Sequence, residues 1–388
     1  MSVLRRALAS LGVLAASVGS LVLPSMTAPA SASTVVAGYV NVPVTINATG
    51  WTTLPSGAGF GTAGGAISVY RFGTGKYEVL FPGLAPGYSL GESVPGVAIA
   101  HAGDWGNCQR STLAVGDGAG DLTFNVNCYD FGGALTDRPF TASYTRGGTD
   151  AGTLGTVRMQ LESTAPIGTV TTPATQFSSL SGTITSTRTA TGNYEIRIPR
   201  QAGDRPHALD VGAVGSAQSV NCAVLSTATE SAGTVEKIRV ICRGVPGVGV
   251  LNTPFDLSFA EETNPLGLGR LSHAYLTAPS FVTVPASTPP VTLTADVVRN
   301  VIYGVPGSVT LQHTGTGKFE VQLQNQDWQV GAATVSVIPV GSADTRCAVT
   351  ADFTVLGSGR RTVRFQCSNA YGDALADPAF QLNYSALQ

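Results

Sequence analysis

Residues 73–79, Gly-Thr-Gly-Lys-Tyr-Glu-Val, carry the pattern that decides the fold, because the chain repeats it twice. It returns as Ala-Thr-Gly-Asn-Tyr-Glu-Ile at residues 190–196 and as Gly-Thr-Gly-Lys-Phe-Glu-Val at residues 315–321, so that the copies begin 117 and 125 residues apart. In each copy an aromatic and an aliphatic residue alternate with polar ones, which is typical of a β-strand with one buried face. The glycine before that strand predicts a tight hairpin turn. The chain is therefore interpreted as three tandem copies of one domain.

Two cysteines follow each copy of this pattern, always twenty residues apart. The midpoint of each pair falls in a glycine turn, at Gly118, at Ala232 beside Gly233, and at Gly357. Because opposed residues of a hairpin have a constant index sum, the two cysteines of a pair should face each other on adjacent strands. Close Cys-x-x-Cys spacing is absent, which favours disulfides over zinc. The predicted pairs are Cys108–Cys128, Cys222–Cys242 and Cys347–Cys367.

Composition and the last strand of each copy predict the fold class. Forty-seven glycines and 22 prolines suit short strands joined by turns and disfavour long helices. Each copy ends on a strand with two aromatic residues four positions apart, as in Phe140 and Tyr144. We predict an all-β protein of three tandem antiparallel β-sandwich (Ig-like) domains, each with one cross-strand disulfide; a small barrel is the alternative. The predicted segments are a signal peptide at residues 1–32 and sandwich repeats at residues 33–146, 147–262 and 263–388.

The first residues have the features of an export signal. Arg5 and Arg6 precede an apolar run, and Ala30-Ser31-Ala32 matches the small-x-small cleavage pattern. We expect cleavage near Ala32 and a secreted, extracellular protein that does not insert into a membrane once the signal is removed. A net charge of −2 with 12% charged residues argues against a nucleic-acid partner, which would need a strongly basic face.

Three stretches of the first copy resemble the cysteine-paired β-repeat domains of secreted actinobacterial proteins, most of which are uncharacterised. They are Gly73 to Val79, Asn125-Val126-Asn127-Cys128, and Asp137-Arg138-Pro139-Phe140 continuing to Tyr144. The resemblance covers nearly the whole chain after the signal. It implies a secreted β-repeat protein and carries no activity and no catalytic residues.

A search for catalytic and metal-binding patterns gives one weak match. Gly87-Tyr88-Ser89-Leu90-Gly91 fits the nucleophile elbow of serine hydrolases, but that motif needs a helix behind it and the following residues do not predict one. We expect Ser89 to lie in a surface loop. The four histidines show no metal-ligand spacing. We therefore predict no catalytic residue, no metal and no cofactor.

A basic residue and a glutamate also recur in each copy. We interpret the basic residue as a strand-end side chain that reaches solvent or a neighbouring carboxylate, and the glutamate as a polar residue of the strand face; a shared ligand contact is the alternative for the basic residue. The recurring residues are Arg71 and Glu78, Arg188 and Glu195, and His313 and Glu320.

Residues that recur are those that the fold requires, so a binding site should lie in positions that differ between copies. The segments 83–107, 201–221 and 324–346 differ most. Trp105 and Trp328, the latter beside Asp327, are candidate ligand-binding residues because an exposed indole can stack on a sugar ring; packing over the sheet or disulfide is the alternative.

The function predicted from the sequence is non-enzymatic binding of a cell-surface glycan or protein through loops between strands. A purely structural envelope or spacer protein is the alternative. A secreted serine hydrolase built on Ser89 is a remote second alternative.

Overall fold

The computed structural model describes most of the chain after the predicted signal. Described are residues 36–386 except 44, 47–48, 86–95, 105, 116–119, 147–155, 162–164, 180–181, 201–205, 216–217, 246–247, 262–272, 279–288, 295–297, 303–304, 327–332, 343, 356–358, 370–371 and 373. All of them belong to one compact unit, Ala32–Gln388. The predicted signal peptide lies outside the described residues, and the predicted domain limits stay a prediction.

Repeat 1 contains nine strands in two antiparallel sheets, ordered β3-β1-β9-β6 and β2-β4-β5-β8-β7. Its core takes side chains from both sheets, including Phe140 and Tyr144 from the first and Tyr77 and Phe124 from the second. The strands are β1 (Val36–Val42), β2 (Thr52–Thr53), β3 (Gly59–Gly61), β4 (Ser68–Gly73), β5 (Lys76–Phe81), β6 (Gly96–Ala102), β7 (Asn107–Val115), β8 (Leu122–Tyr129) and β9 (Phe140–Arg146).

Repeat 2 has the same arrangement, with sheets ordered β12-β10-β18-β15 and β11-β13-β14-β17-β16. A single 3-10 turn, Ser231–Gly233, connects β16 to β17. The strands are β10 (Thr156–Leu161), β11 (Val170–Thr171), β12 (Thr175–Ser178), β13 (Thr185–Ala190), β14 (Asn193–Pro199), β15 (His207–Ala213), β16 (Val220–Glu230), β17 (Val235–Gly244) and β18 (Phe255–Glu261).

Repeat 3 has sheets ordered β25-β28-β19-β21-β22 and β20-β23-β24-β27-β26. Its strand β25 joins β16 of repeat 2 through one parallel bridge, Val224 to Val340, so that two sheets continue into each other. The strands are β19 (His273–Ala278), β20 (Val291–Thr292), β21 (Val298–Ile302), β22 (Val305–Pro306), β23 (Val309–Gly315), β24 (Lys318–Gln324), β25 (Ala333–Val340), β26 (Thr345–Val355), β27 (Arg360–Asn369) and β28 (Ala379–Ala386).

The predicted all-β antiparallel fold and the predicted disulfide pairing are confirmed. In each repeat the two cysteines are directly opposed residues of adjacent antiparallel strands, and their sulfurs are bonded. All three second cysteines are fully buried in the core. The bonded pairs are Cys108–Cys128, Cys222–Cys242 and Cys347–Cys367. The Ig-like assignment stays a prediction.

The glycine of each recurring turn is required by a close backbone approach. Gly75 has a φ of +64°, and a Cβ added to it would lie 2.5 Å from the carbonyl oxygen of Cys128. The Cys128 amide donates to the Gly75 carbonyl oxygen at 2.7 Å. Gly192 and Gly317 make the same approach to the second cysteines of their own repeats. The turn thus ties each recurring hairpin to its disulfide-bearing strand.

A carboxylate before the last strand holds this turn in place. Asp137 accepts hydrogen bonds from the Gly75 amide and from Nε of Arg71, both at 2.8 Å, and from the Tyr77 hydroxyl at 3.0 Å. In repeat 3, His313 and the Gly317 amide contact Asp377 in the same way. In repeats 1 and 3 the recurring basic residue thus contacts a neighbouring carboxylate, which is one of the two arrangements predicted for it.

Repeat 2 has an amide in place of that carboxylate. Oδ1 of Asn252 accepts from the Gly192 amide at 2.8 Å, so the turn contact needs an oxygen acceptor but not a charge. The charge of Asp137 forms an ion pair with Arg71. Nε and Nη2 of Arg71 each donate to one of the two carboxylate oxygens. The hydrogen bonds from Arg71 outweigh desolvation and lower the pKa of Asp137 from 3.8 to about 2.

Asp137→Asn is expected to lower the free energy of unfolding by about 1–2 kcal/mol at pH 7, because it keeps the turn acceptor and loses the ion pair. The folded-state pKa of Asp137 is depressed, so its contribution is complete above about pH 4 and is lost as the pH falls through about 2. Urea unfolding of both proteins between pH 7 and pH 2 measures this difference. A difference that stays constant over that range would contradict the assignment. Asp344→Asn, at an exposed carboxylate, is the control.

The three repeats contact one another in a closed circuit. Between repeats 1 and 2 the Gly215 amide donates to the carbonyl oxygen of Arg110, and between repeats 2 and 3 the Gly341 amide donates to that of Val224. Between repeats 3 and 1, Nδ2 of Asn41 donates to the carbonyl oxygen of Ala333 at 2.8 Å. All three junctions are therefore formed in one molecule.

The segments that differ most between copies contribute to these junctions. Each of the stretches 83–107, 201–221 and 324–346 contains one strand, β6, β15 and β25 respectively. The strands lie in the three sheets that line a shared central cavity. The described strands of these segments thus contribute to the contacts between repeats.

Candidate functional site

The outer face of the five-stranded sheet of repeat 1 carries a row of aromatic side chains. The Trp51 and Tyr70 ring centroids are 5.7 Å apart, and those of Tyr70 and Phe72 are 6.5 Å apart. Trp51 is 48% exposed and Phe72 is 45% exposed. We call Trp51, Tyr70, Phe72 and their neighbour Glu78 the aromatic face.

Strand alternation places these rings together. In β4, Val69 points into the core, so Tyr70 and Phe72 point outward. Thr52 of β2 is opposite Val69, which brings the preceding residue, Trp51, beside Tyr70. The aromatic face is thus built on paired strands of the sheet, which hold its side chains at fixed spacing.

The aromatic row continues into polar residues across the sheet. Glu78 of β5 is opposite Tyr70, and Asn125 of β8 is opposite Glu78. Residues opposed in this way have their side chains on the same face of a sheet. The outer face therefore presents aromatic rings at the β2 edge and oxygen and amide groups beside them.

Glu78 differs from its two equivalents in having no partner. Glu195 pairs with Arg197 at 3.1 Å, and Glu320 pairs with Arg364 at 2.8 Å. In the part of the chain that the structure describes, Glu78 makes neither an ion pair nor a side-chain hydrogen bond. The residue opposite it is Asn125, where repeats 2 and 3 have an arginine. Repeat 1 alone thus places a carboxylate without a partner next to exposed rings.

The aromatic side chains themselves are also confined to repeat 1. The positions of Tyr70 and Phe72 are occupied by Thr187 and Thr189 in repeat 2, and by polar residues again in repeat 3. Val170 occupies the position of Trp51. Core packing does not require aromatics here, because repeat 2 folds with threonine or valine at these positions and repeat 3 folds with Gln312 and Thr314 in place of Tyr70 and Phe72.

A second polar region lies where the three repeats meet. A narrow cavity of about 30 Å³ is lined by small polar side chains from each repeat, including Ser143, Ser258 and Asn383. Nε2 of His101 lies 2.8 Å from Oδ1 of Asp210. Burial lowers the pKa of His101, but the charge and hydrogen bond of Asp210 outweigh it and the pKa is raised. This pair connects repeats 1 and 2 in a space of about the size of one water molecule.

Several residues proposed from the sequence fall outside the described part of the chain. The candidate binding residues Trp105, Asp327 and Trp328 and the serine of the elbow motif, Ser89, are among them. Among the residues that are described, no group of three His, Cys, Asp or Glu side chains is arranged to hold a metal ion. No helix within the described ranges has the length and apolar character needed to cross a membrane.

Sequence reasoning missed the aromatic face. The signal was present in β4, where Tyr70 and Phe72 occupy the polar positions of an alternating strand. Comparison with the threonines at the same positions of repeat 2 would have marked them as residues that the fold does not need. Searches of protein-family models, curated proteins and solved structures found no match to this chain. The resemblance to secreted actinobacterial β-repeats stays a prediction.

Proposed function

We propose that this is a secreted, non-enzymatic protein that binds an extracellular glycan through the aromatic face of repeat 1. The observation that carries the proposal is the row Trp51, Tyr70 and Phe72, exposed on one repeat and absent from the two others. Three disulfides indicate an oxidising compartment, which agrees with export. The signal-like sequence before Ala32 supports the same location.

The chemistry of the aromatic face fits a sugar. One face of a pyranose ring consists of C–H groups and stacks on an aromatic ring, while its edge carries hydroxyl groups that need polar partners. Glu78 supplies carboxylate oxygens that accept from hydroxyls, and Asn125 supplies both a donor and an acceptor. The alternation of rings and polar groups on one flat sheet suits a chain of sugars lying across the strands.

The size of the aromatic face favours a glycan over a protein. Stable protein interfaces need roughly 800 Å² from each partner, with an apolar centre. Here the apolar part is one row of three rings with centroid spacings of 5.7 and 6.5 Å, and the neighbouring strand presents the charged Glu78. A narrow, extended ligand matches this row better than a broad surface does.

Trp51→Ala is expected to weaken glycan binding about fivefold to tenfold, because it removes one stacking ring. The chain from residue 33 onward is first screened on a glycan array and by retention on insoluble cellulose, chitin and peptidoglycan. Affinity for the best polysaccharide is then compared between wild type and variant. Val170→Ala, at the equivalent position of repeat 2, is the matched control and should bind as wild type does.

Glu78→Gln tests the polar part of the same site. It keeps the size of the side chain and removes a charge that no ion pair uses, so the melting temperature should change little while binding falls several-fold. Full binding by the Trp51 variant would refute the assignment of the face. Absence of retention on every polysaccharide would instead favour the structural alternative.

A further inference from the structure

A second cavity at the junction of the three repeats contains an arginine without a counter-charge. The cavity has a volume of about 40 Å³ and takes residues from every repeat: Gly106 and His101 from repeat 1, Asn221 from repeat 2, and Ile338 and Arg346 from repeat 3. It is separate from the aromatic face, which lies at the β2 edge of repeat 1.

Arg346 is only 8% exposed. Its Nε and Nη1 atoms are buried and have no hydrogen-bond partner, and the guanidinium makes no ion pair with any described residue. The guanidinium carbon lies over the ring of Phe131, 5.7 Å from its centroid. A buried charge in this state is costly unless an opposite charge accompanies it.

A second arginine increases the excess of positive charge. Arg138 lies close enough to act on Arg346, and burial together with this like charge lowers the pKa of Arg346 to about 10. Arg138 is itself paired, since its Nη1 lies 2.9 Å from Oδ1 of Asp104. Arg138 therefore has a carboxylate partner, and Arg346 has none among the described residues.

Two further buried donors near Arg346 have no hydrogen-bond partner. Nδ2 of Asn221 is buried without a hydrogen-bond partner, and so is Nε of Arg138. Arg138 packs directly over Gly106, which lines the cavity. A Cβ atom added to Gly106 would lie 2.3 Å from the Arg138 side chain. The nearby amide of Asn107 is already used, since it donates to Ser219 and Val220 of repeat 2.

We infer that this cavity binds a small inorganic anion of the size of chloride, held by Arg346 and the Asn221 amide. Water would satisfy the donors but would leave the charge of Arg346 uncompensated in a buried place. The volume of about 40 Å³ admits a monatomic anion. Because residues from all three repeats line the site, the anion closes the junction where repeat 3 returns to repeat 1.

Chloride should stabilise the folded chain at constant ionic strength. Melting temperatures are measured in sodium chloride and sodium gluconate mixtures of equal total concentration. We expect a rise of about 2 °C for each tenfold increase in chloride above its dissociation constant, because only the folded chain forms the site. Equal melting temperatures in chloride and gluconate would overturn the inference.

Arg346→Met separates site binding from general salt effects. The variant should lose the chloride-dependent rise, and in gluconate it should be at least as stable as wild type, since it removes an uncompensated buried charge. Arg197→Gln, at an arginine whose side chain is 50% exposed, is the control and should keep the full chloride response. A chloride response that persists in Arg346→Met would assign the effect elsewhere and overturn the inference.

Wild-type crystals grown in bromide give a test that needs no variant. An anomalous peak in contact with the Arg346 guanidinium is the expected result. Anomalous peaks confined to the protein surface, with none in the cavity, would show adventitious ions only and would refute the site even if Arg346→Met failed to fold.

Discussion

Arg200→Met is expected to lower the free energy of unfolding by roughly 3–5 kcal/mol, because it removes the positive charge that pairs with two buried carboxylates. Arg200 donates to Glu236 and to Glu261 at 2.6 Å each, and all three side chains are at most 2% exposed. Glu236 lies in β17 of one sheet and Glu261 in β18 of the other, so the guanidinium joins the two layers of repeat 2. Desolvation lowers the pKa of Arg200, but the two carboxylates outweigh it and the pKa is raised.

Repeat 1 shows how a control for this variant can be designed. The position of Glu236 is occupied there by Leu122, which is fully buried in the core. Replacing the whole triad by apolar residues, Arg200→Met with Glu236→Leu and Glu261→Leu, should restore most of the lost stability. Urea unfolding measures both variants. A triple variant as unstable as the single one would show that altered packing causes the loss, and not the uncompensated charges of Glu236 and Glu261.

Asp256→Ala is expected to cost a similar roughly 3–5 kcal/mol, because it removes the buried carboxylate that pairs with a buried arginine of another repeat. Oδ2 of Asp256 in repeat 2 lies 2.8 Å from Nη2 and 2.9 Å from Nε of Arg110 in repeat 1, and both side chains are at most 4% exposed. The pair lies beside the backbone contact between Arg110 and Gly215. The variant should therefore weaken the non-covalent contact between repeats 1 and 2.

An exposed pair between repeats provides the matched control. Arg243 and Asp344 connect repeats 2 and 3 with side chains that are 39% and 55% exposed. Asp344→Ala should cost less than about 1 kcal/mol, because solvent screens the pair. Unfolding in urea and limited proteolysis compare the two variants. Equal losses for Asp256→Ala and Asp344→Ala would show that burial of the inter-repeat pair is not what stabilises the assembly.

The hairpin geometry was predictable because it depends on local rules. Period-two alternation identified the strands, and the constant index sum paired Cys108 with Cys128 and its equivalents. The same rule missed a bulge in each of these hairpins. In repeat 1 the register shifts between Arg110 and Thr112, three residues after the cysteine. A bulge reverses the phase of the alternation, but Gln109 to Thr112 are all polar, so the sequence shows no alternation there for the bulge to interrupt.

The contacts between repeats could not be predicted from one sequence. Arg110 and Asp256 are separated by 146 positions, and nothing in either neighbourhood indicates the other. The aromatic face could be predicted in part, since the alternation in β4 already places Tyr70 and Phe72 on the outer side of the sheet. The exposure of the rings and the lack of a partner for Glu78 could not be predicted. Both depend on which residues of the neighbouring strands lie beside them.

The closed circuit of contacts has a consequence for assembly. The first two junctions use equivalent parts, an amide from Gly215 or Gly341 and a carbonyl oxygen two residues after a first cysteine. A head-to-tail contact of this kind generates either a ring or an open filament when copies are added. Here repeat 3 returns to repeat 1 through Asn41 and Ala333, so the third junction closes the series. The three repeats of one chain thus each contact the other two, and the third contact uses a side-chain amide where the first two use a backbone amide.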